Sequence, residues 1–210
     1  METGGFASDS PSGAVDRRDD GRGCDGLSVE DMDAAGVRLA SEVMDRCRVG
    51  GVRVAVAESL TGGLLADAFV SVPGASSVFL GSAVTYDVRA KASLLRVDAR
   101  LLRDQGAVHP AVAAQMAGGV ARLFDQPQYA GRVLGLSTTG VAGPGPDERG
   151  RAEGLAYAGV SIPCEVAGSA GNRRGMVMEI RASGGRERIR RYVVVGLLRY
   201  VMQLTGGGWE

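Results

Sequence analysis

The amino-acid sequence predicts an α/β protein, a three-layer α/β/α domain built around a mainly parallel or mixed sheet. Three observations carry that expectation. Short β-branched apolar runs alternate along the chain with longer stretches whose apolar residues recur at helical spacing. Glycines and prolines punctuate the joints between the two patterns. The 210 residues, 45% of them hydrophobic, suffice for one substantial core, and with only 5% aromatic residues that core must be made of small aliphatics.

The elements follow in order. Residues 1–26 read as a disordered tail, because "DRRDDGRGCDG" mixes both charge signs with glycine and offers nothing periodic to bury. The domain then runs over residues 27–210. "SVED" fits a capping box, with Ser28 as N-cap and Asp31 near N3. The helix behind it carries Val37, Leu39, Ala40, Val43 and Met44 and stops at Gly50-Gly51. "VRVAVA", Val52 to Ala57, is a short buried strand. "ESLTGG" ends it, and "LLADAFVSV" resumes helical spacing. "SVFLGSAVTY" is a strand and "DVRAKASLL" a short helix. "PAVAAQMAGGVARLF" is a longer helix with Pro110 at its first position. "RVLGLSTTG" and "LAYAGVSI" are strands separated by the glycine-rich loop "VAGPGPDERGRAE". "GMVMEIRA" is a last strand, and "RERIRRYVVVGLLRYVMQL" a closing amphipathic helix. Functional loops in such a sheet lie where strands end, which marks residues 58–63, 86–91 and 138–145.

Composition excludes several classes. The formal net charge is zero and no basic block stands apart, so no nucleic-acid partner is expected. No stretch is long and apolar enough for a bilayer span, and the first residues contain no apolar run of a signal peptide. Cys24, Cys47 and Cys164 are odd in number and far apart, neither a metal spacing nor a disulfide framework, which favours a reducing cytoplasm. No metal or cofactor is expected. Five apolar positions on the last helix (Val193, Val194, Val195, Leu197 and Leu198) exceed one narrow stripe and suggest a homo-oligomer, although they would serve equally inside the domain.

Four features bear on chemistry. The chain has 24 basic residues, of which only Lys91 is a lysine. A guanidinium stays charged, whereas a buried lysine can become a base, so Lys91 is a candidate catalytic group; codon bias and an exposed helical lysine are the plain alternatives. Tyr86 lies five residues before it, placed to face the same cleft. Ser59 stands at a strand-to-helix junction, where it would serve as nucleophile or hydrogen-bond donor; spacing alone favours an N-cap by Ser59 or Thr61, with Gly62-Gly63 making the turn. His109, the single histidine, precedes Pro110, where opening a helix is role enough.

Read together, "AESLTGG", "VPGASSVFLGSAVTYDVRAK", "STTGVAGPG" and "GGRERIR" resemble the CinA C-terminal domain family, from about Leu27 to the last helix. The resemblance implies an α/β/α fold and hydrolysis of nicotinamide mononucleotide to nicotinic acid mononucleotide and ammonia, by a Ser-Lys pair without a metal. Carried over by motif, the catalytic residues are Ser59, Lys91 and Tyr86. Thr61, Gly62, Gly63, Thr139, Gly140, Gly143 and Arg186 become the substrate-binding set. Backbone amides around Thr61 to Gly63 would stabilise the oxyanion, and Tyr86 would hydrogen-bond within the dyad. Larger relatives carry a further N-terminal nucleotide-processing domain. The sequence departs from the pattern at Leu60, where a cysteine is frequent, and at Asp87-Val88 in place of Ser-Asn. His109 replaces a frequent serine, and Arg151 to Leu155 replace Lys-Pro-Val-Gly-Thr. Those departures leave a second expectation open, a non-catalytic homologue that binds pyridine nucleotides or a protein partner as a regulator.

Overall fold

The computed structural model describes residues 14–20, 24, 26–129, 131–163 and 173–206. Cys164 lies outside them. The element order is β1 (Arg17–Asp19), α1 (Val29–Gly50), β2 (Arg53–Glu58), α2 (Leu64–Val70), β3 (Phe79–Val84), α3 (Val88–Leu95), α4 (Ala99–Gln105), α5 (Pro110–Leu123), β4 (Val133–Gly140), β5 (Leu155–Ile162), β6 (Arg174–Arg181) and α6 (Gly185–Leu204). The six strands form one mixed sheet in the order β1-β6-β5-β4-β2-β3. Strands β3, β2 and β4 run parallel, β5 is antiparallel to both its neighbours, and β1 runs parallel to β6. The fold is α/β, as the alternating pattern predicts.

The period-2 alternation of β2 explains the layers. Val54 and Val56 face the core formed with α1, α2 and α6, whereas Ala55 and Ala57 face the one formed with α3, α4 and α5. The second face is built from small residues because α5 lies hard against it. A Cβ at Gly135 would overlap the carbonyl oxygen of Ala117, and one at Gly159 would overlap that of Ala113. The Ser137 hydroxyl, on the same face, donates to Ala113 O at 2.7 Å.

Local signals set the helix ends. Ser28 Oγ accepts from the Asp31 amide and Asp31 Oδ2 from the Ser28 amide, each at 3.0 Å, and Gly51 closes α1 in the left-handed conformation. Helix α5 starts at Pro110, with the Ala111 amide donating to His109 Nδ1 at 3.2 Å. His109 therefore caps a helix, and burial together with the nearby Arg151 charge lowers its pKa.

Two elements differ from the expectation. Helix α4 has seven residues with only Leu102 buried, too few apolar positions to register as a period. The tail expected to be disordered over residues 1–26 is corrected for β1. Asp16 N donates to Val177 O at 2.8 Å, the Val177 amide donates to Asp16 Oδ2 at 2.7 Å, and Tyr192 donates to Asp19 Oδ1 at 2.7 Å. Polar pairing to a distant strand makes this element, and no local apolar pattern announces it. The apolar positions of α6 that suggested self-association are buried inside the domain, the other use their spacing allows. Among the described residues no helix is long and apolar enough to cross a membrane.

Candidate active site

The parallel register of β3, β2 and β4 sets Glu58 opposite both Val84 and Thr138, so the three carboxyl ends lie side by side. The turns that leave them gather there, at the place where open α/β sheets bind ligands. Ser59 follows β2 directly, held by its amide to Thr138 O at 3.0 Å. Lys91 is the fourth residue of α3, whose N-cap is Asp87. Its side chain runs back under the β3–α3 turn, and Lys91 Nζ lies 3.0 Å from Ser59 Oγ, with the Thr85 carbonyl accepting a second hydrogen bond.

Lys91 is fully buried, whereas Ser59 keeps 9% of its surface. The hydroxyl is thus the cleft-facing member of the pair, and the amine lies behind it. Burial lowers the Lys91 pKa from an ordinary 10.5 to about 8, against the opposing pull of the Asp87 carboxylate. Asp87 itself is held near 2 by the side chain and amide of Arg89.

Glu58, the last residue of β2, is completely buried and holds the turn from within. Its Oε2 accepts from Thr61 Oγ1 at 2.8 Å, from the Gly63 amide at 2.9 Å and from the Leu65 amide at 3.1 Å. Its Oε1 accepts from the Ala66 amide at 3.0 Å and Ser82 Oγ at 3.1 Å. Glu58 is an internal cap for α2. From the other side, Arg190 of α6 donates from Nε to Leu60 O at 2.9 Å and from Nη2 to Thr61 O at 2.7 Å.

These contacts correct several expected roles. The Thr61 hydroxyl is buried between Glu58 and Thr138 Oγ1, 2.7 Å away, and is structural. Gly62 and Gly63 do make the turn, with φ of 57° and 104°. Their amides are spent, however, on Ser59 O and Glu58, so they are not oxyanion donors. No hydrogen bond from the Leu60 or Thr61 amide is found among the described residues. Thr139 is buried and donates to Ala107 O at 2.8 Å, which ties the α4–α5 junction to β4. Tyr86 is 61% exposed, and its hydroxyl accepts from Arg186 Nη2 at 3.1 Å rather than joining the dyad.

A cleft of about 620 Å³ opens over Ser59. Leu60, Val88, Leu102, Val108 and Ala142 give it an apolar floor; Tyr86, Gly140 and the segment 146–151 complete its walls. That segment is fastened to the carbonyl end of α4, where Arg149 donates to Asp104 O at 3.0 Å and Arg103 O at 2.6 Å, and Arg151 donates to Gln105 O. The departure at Arg151 is therefore used to hold a wall. Gly143 and Arg186 line an adjoining lobe, with Arg186 Nη1 donating to Gly143 O at 2.7 Å. The departures at Asp87-Val88 also find uses: Asp87 caps α3 through the Arg89 amide at 2.6 Å, and Val88 supplies apolar surface to the cleft.

Sequence reasoning missed Glu58 and Arg190. An acid closing the apolar run Val54 to Ala57 was a usable signal for Glu58. Arg190 gave none, being one of 23 arginines and 130 residues from the carbonyl it holds.

Comparisons with known proteins agree with this architecture. The chain is 44% identical over 154 residues to a CinA-like protein of Frankia casuarinae, covering 73% of this chain and 32% of the relative. It is 38% identical over 145 residues to a CinA-like protein of Dictyoglomus turgidum, covering 69% and 32%. The chain thus spans about a third of the length of these relatives. Among solved structures, competence/damage inducible protein CihA from Agrobacterium tumefaciens superposes with a TM-score of 0.69 at 29% identity, covering 81% of this chain and 95% of that one. A competence-damaged protein (CinA) superfamily protein from Escherichia coli gives 0.68 at 27% identity, covering 86% and 95%. With residues 37–205 matching it, from β2 to β6 and across the turns that bear Ser59 and Lys91, the chain belongs to the CinA C-terminal domain family.

Proposed function

We propose that the protein hydrolyses the carboxamide of nicotinamide mononucleotide, releasing nicotinic acid mononucleotide and ammonia, with Ser59 as nucleophile and Lys91 as general base. The 3.0 Å contact between a fully buried amine and a cleft-facing hydroxyl carries the reading. With a pKa of about 8, roughly one Lys91 in ten is neutral at pH 7. The Thr85 carbonyl occupies one N–H, which leaves the lone pair free to accept from Ser59.

Neutral Lys91 takes the Ser59 proton as the oxygen attacks the carboxamide carbon. The amides of Leu60 and Thr61 are the donors left for the oxyanion. Collapse of the tetrahedral species breaks the C–N bond, and the Lys91 ammonium returns the proton to the departing ammonia. Water, deprotonated by the same amine, then releases the acid from Ser59. Leu60, Val88 and Val108 suit a flat pyridine ring, with Tyr86 and Arg186 at the mouth. No cofactor enters any step.

Ammonia release from nicotinamide mononucleotide, measured with wild type and Ser59→Ala, tests the assignment. Turnover in the wild type that falls at least about a thousandfold in the variant is the expected result. Val88 standing where the family pattern has an amide side chain favours one other reading, a nucleotide-binding regulator. Thermal stabilisation by the nucleotide with no ammonia formed would select it.

A further inference from the structure

Two charged side chains hold the turn that carries Ser59, Glu58 from the strand directly before it and Arg190 from distant α6, and they act on opposite ends of its peptide groups. Glu58 takes the amides of Gly63, Leu65 and Ala66. Arg190 takes the carbonyls of Leu60 and Thr61. No carboxylate pairs with Arg190 among the described residues, so its charge is directed at the two carbonyls.

The trans peptide group makes this arrangement consequential. A carbonyl and the N–H of the next residue point in opposite directions across one planar unit. Drawing Leu60 O toward α6 therefore turns the Thr61 N–H away from α6, and α3, which supplies Lys91, packs with the core on the other face of the sheet. A guanidinium on the carbonyl also polarises the unit and makes its N–H a stronger donor. The preceding unit is held by the backbone itself, since Ser59 O accepts from the Gly62 amide at 3.2 Å, and the Leu60 N–H has no hydrogen-bond partner among the described residues. Gly62 leaves room for this packing: a Cβ there would lie 3.2 Å from Arg190 Nη2.

We propose that Arg190 is a positioning residue for the reaction, one that orients and polarises the Leu60–Thr61 peptide so that its N–H receives the developing oxyanion. This rests on the amide-hydrolysis reading above. Arg190 makes no hydrogen bond to Ser59 or Lys91 among the described residues, and it acts through the backbone.

Two measurements test the proposal, each on the full chain. The first needs no turnover: backbone amide resonances and hydrogen exchange of Leu60, Thr61 and Gly62 are compared in wild type, Arg190→Gln and Arg190→Lys, with Arg191→Gln as a neighbouring control. Faster exchange and shifted resonances confined to the turn in Arg190→Gln are expected, with Arg190→Lys intermediate because it keeps the charge but not the fork. The second is steady-state hydrolysis of nicotinamide mononucleotide. In Arg190→Gln, kcat should fall roughly 10- to 100-fold at nearly constant KM, a fraction of what loss of an oxyanion donor costs. The midpoint of the pH profile should stay put, since Arg190 does not contribute to the setting of Lys91.

An unaltered turn in Arg190→Gln overturns the proposal whatever the activity. So does a loosened turn with unchanged kcat, or a loss of kcat accompanied by a moved pH midpoint. If the wild type releases no ammonia, the hydrolase reading fails separately, and a turn that keeps its wild-type amides in Arg190→Gln removes the positioning role as well. Should Arg190→Gln not fold, Arg190→Lys carries the same comparison.

Discussion

Lys91 is an unusual residue to bury, and its cost is readable in solution. The folded pKa of about 8 lies below the ordinary 10.5. Below pH 8 the amine is protonated in both folded and unfolded states, and the fold bears the full penalty of an enclosed charge. Between pH 8 and 10.5 the unfolded chain holds the proton that the folded chain has released, so stability climbs with pH. The gap corresponds to about 3 kcal/mol at neutral pH. Lys91→Met should recover about 2 kcal/mol of that at pH 7, after ~1 kcal/mol is lost with the hydrogen bonds to Thr85 and Ser59. Urea denaturation across pH 7 to 10.5 checks this, and a variant advantage that fails to shrink as pH rises would contradict it. For activity the sign is the same: kcat/KM should rise tenfold per pH unit and level off above about pH 8. Lys91→Arg keeps the charge and removes the base, so full deamidase turnover in that variant would rule out Lys91 as proton acceptor.

Among the elements, α2 shows how a short helix is made to serve a site. It has seven residues, begins at a glycine without a side-chain cap, and takes its N-terminal partners from Glu58 instead. Glu58→Ala would leave those buried amides and the hydroxyls of Thr61 and Ser82 without their acceptor, and a loss of at least about 3 kcal/mol is expected from chemical denaturation. Glu58→Gln keeps one acceptor oxygen and should cost less. Helix α5 makes the complementary case for close approach. Gly135→Ala drives a methyl into the Ala117 carbonyl, and at least about 2 kcal/mol of destabilisation should follow, because backbone on both sides prevents relief. A neutral Gly135→Ala would show that α5 is free to lift from the sheet.

At the scale of the whole molecule, the sheet is closed at one edge by β1, which lies outside the matched residues 37–205. It is three residues long and fastened by Asp16 and Asp19. Removing residues 1–20 would expose the β6 edge and take away the Asp19 acceptor of Tyr192, so a lower melting temperature and concentration-dependent association are expected. The site, at the carboxyl ends of β2 and β3, lies across the sheet, and turnover in the truncated protein should persist below its melting point. If light scattering finds the truncated protein monomeric and equally stable, β1 is an ornament of the edge.

Local pattern alone determined most of the element order. Periodicity placed five helices and five strands, and Ser28, Gly51 and Pro110 marked boundaries because caps are formed by near neighbours. The motif resemblance brought Ser59 and Lys91 forward as a pair. What only the tertiary structure decided is how each polar side chain is spent: Thr61 on Thr138, Thr139 on Ala107, Tyr86 on Arg186, Arg190 on the turn. Hydrogen bonds between residues 30 to 170 positions apart leave no trace in a window of ten, since register and helix packing choose the partner. The same holds for β1, whose residues are ordinary and whose strand exists only because β6 is there to pair with it.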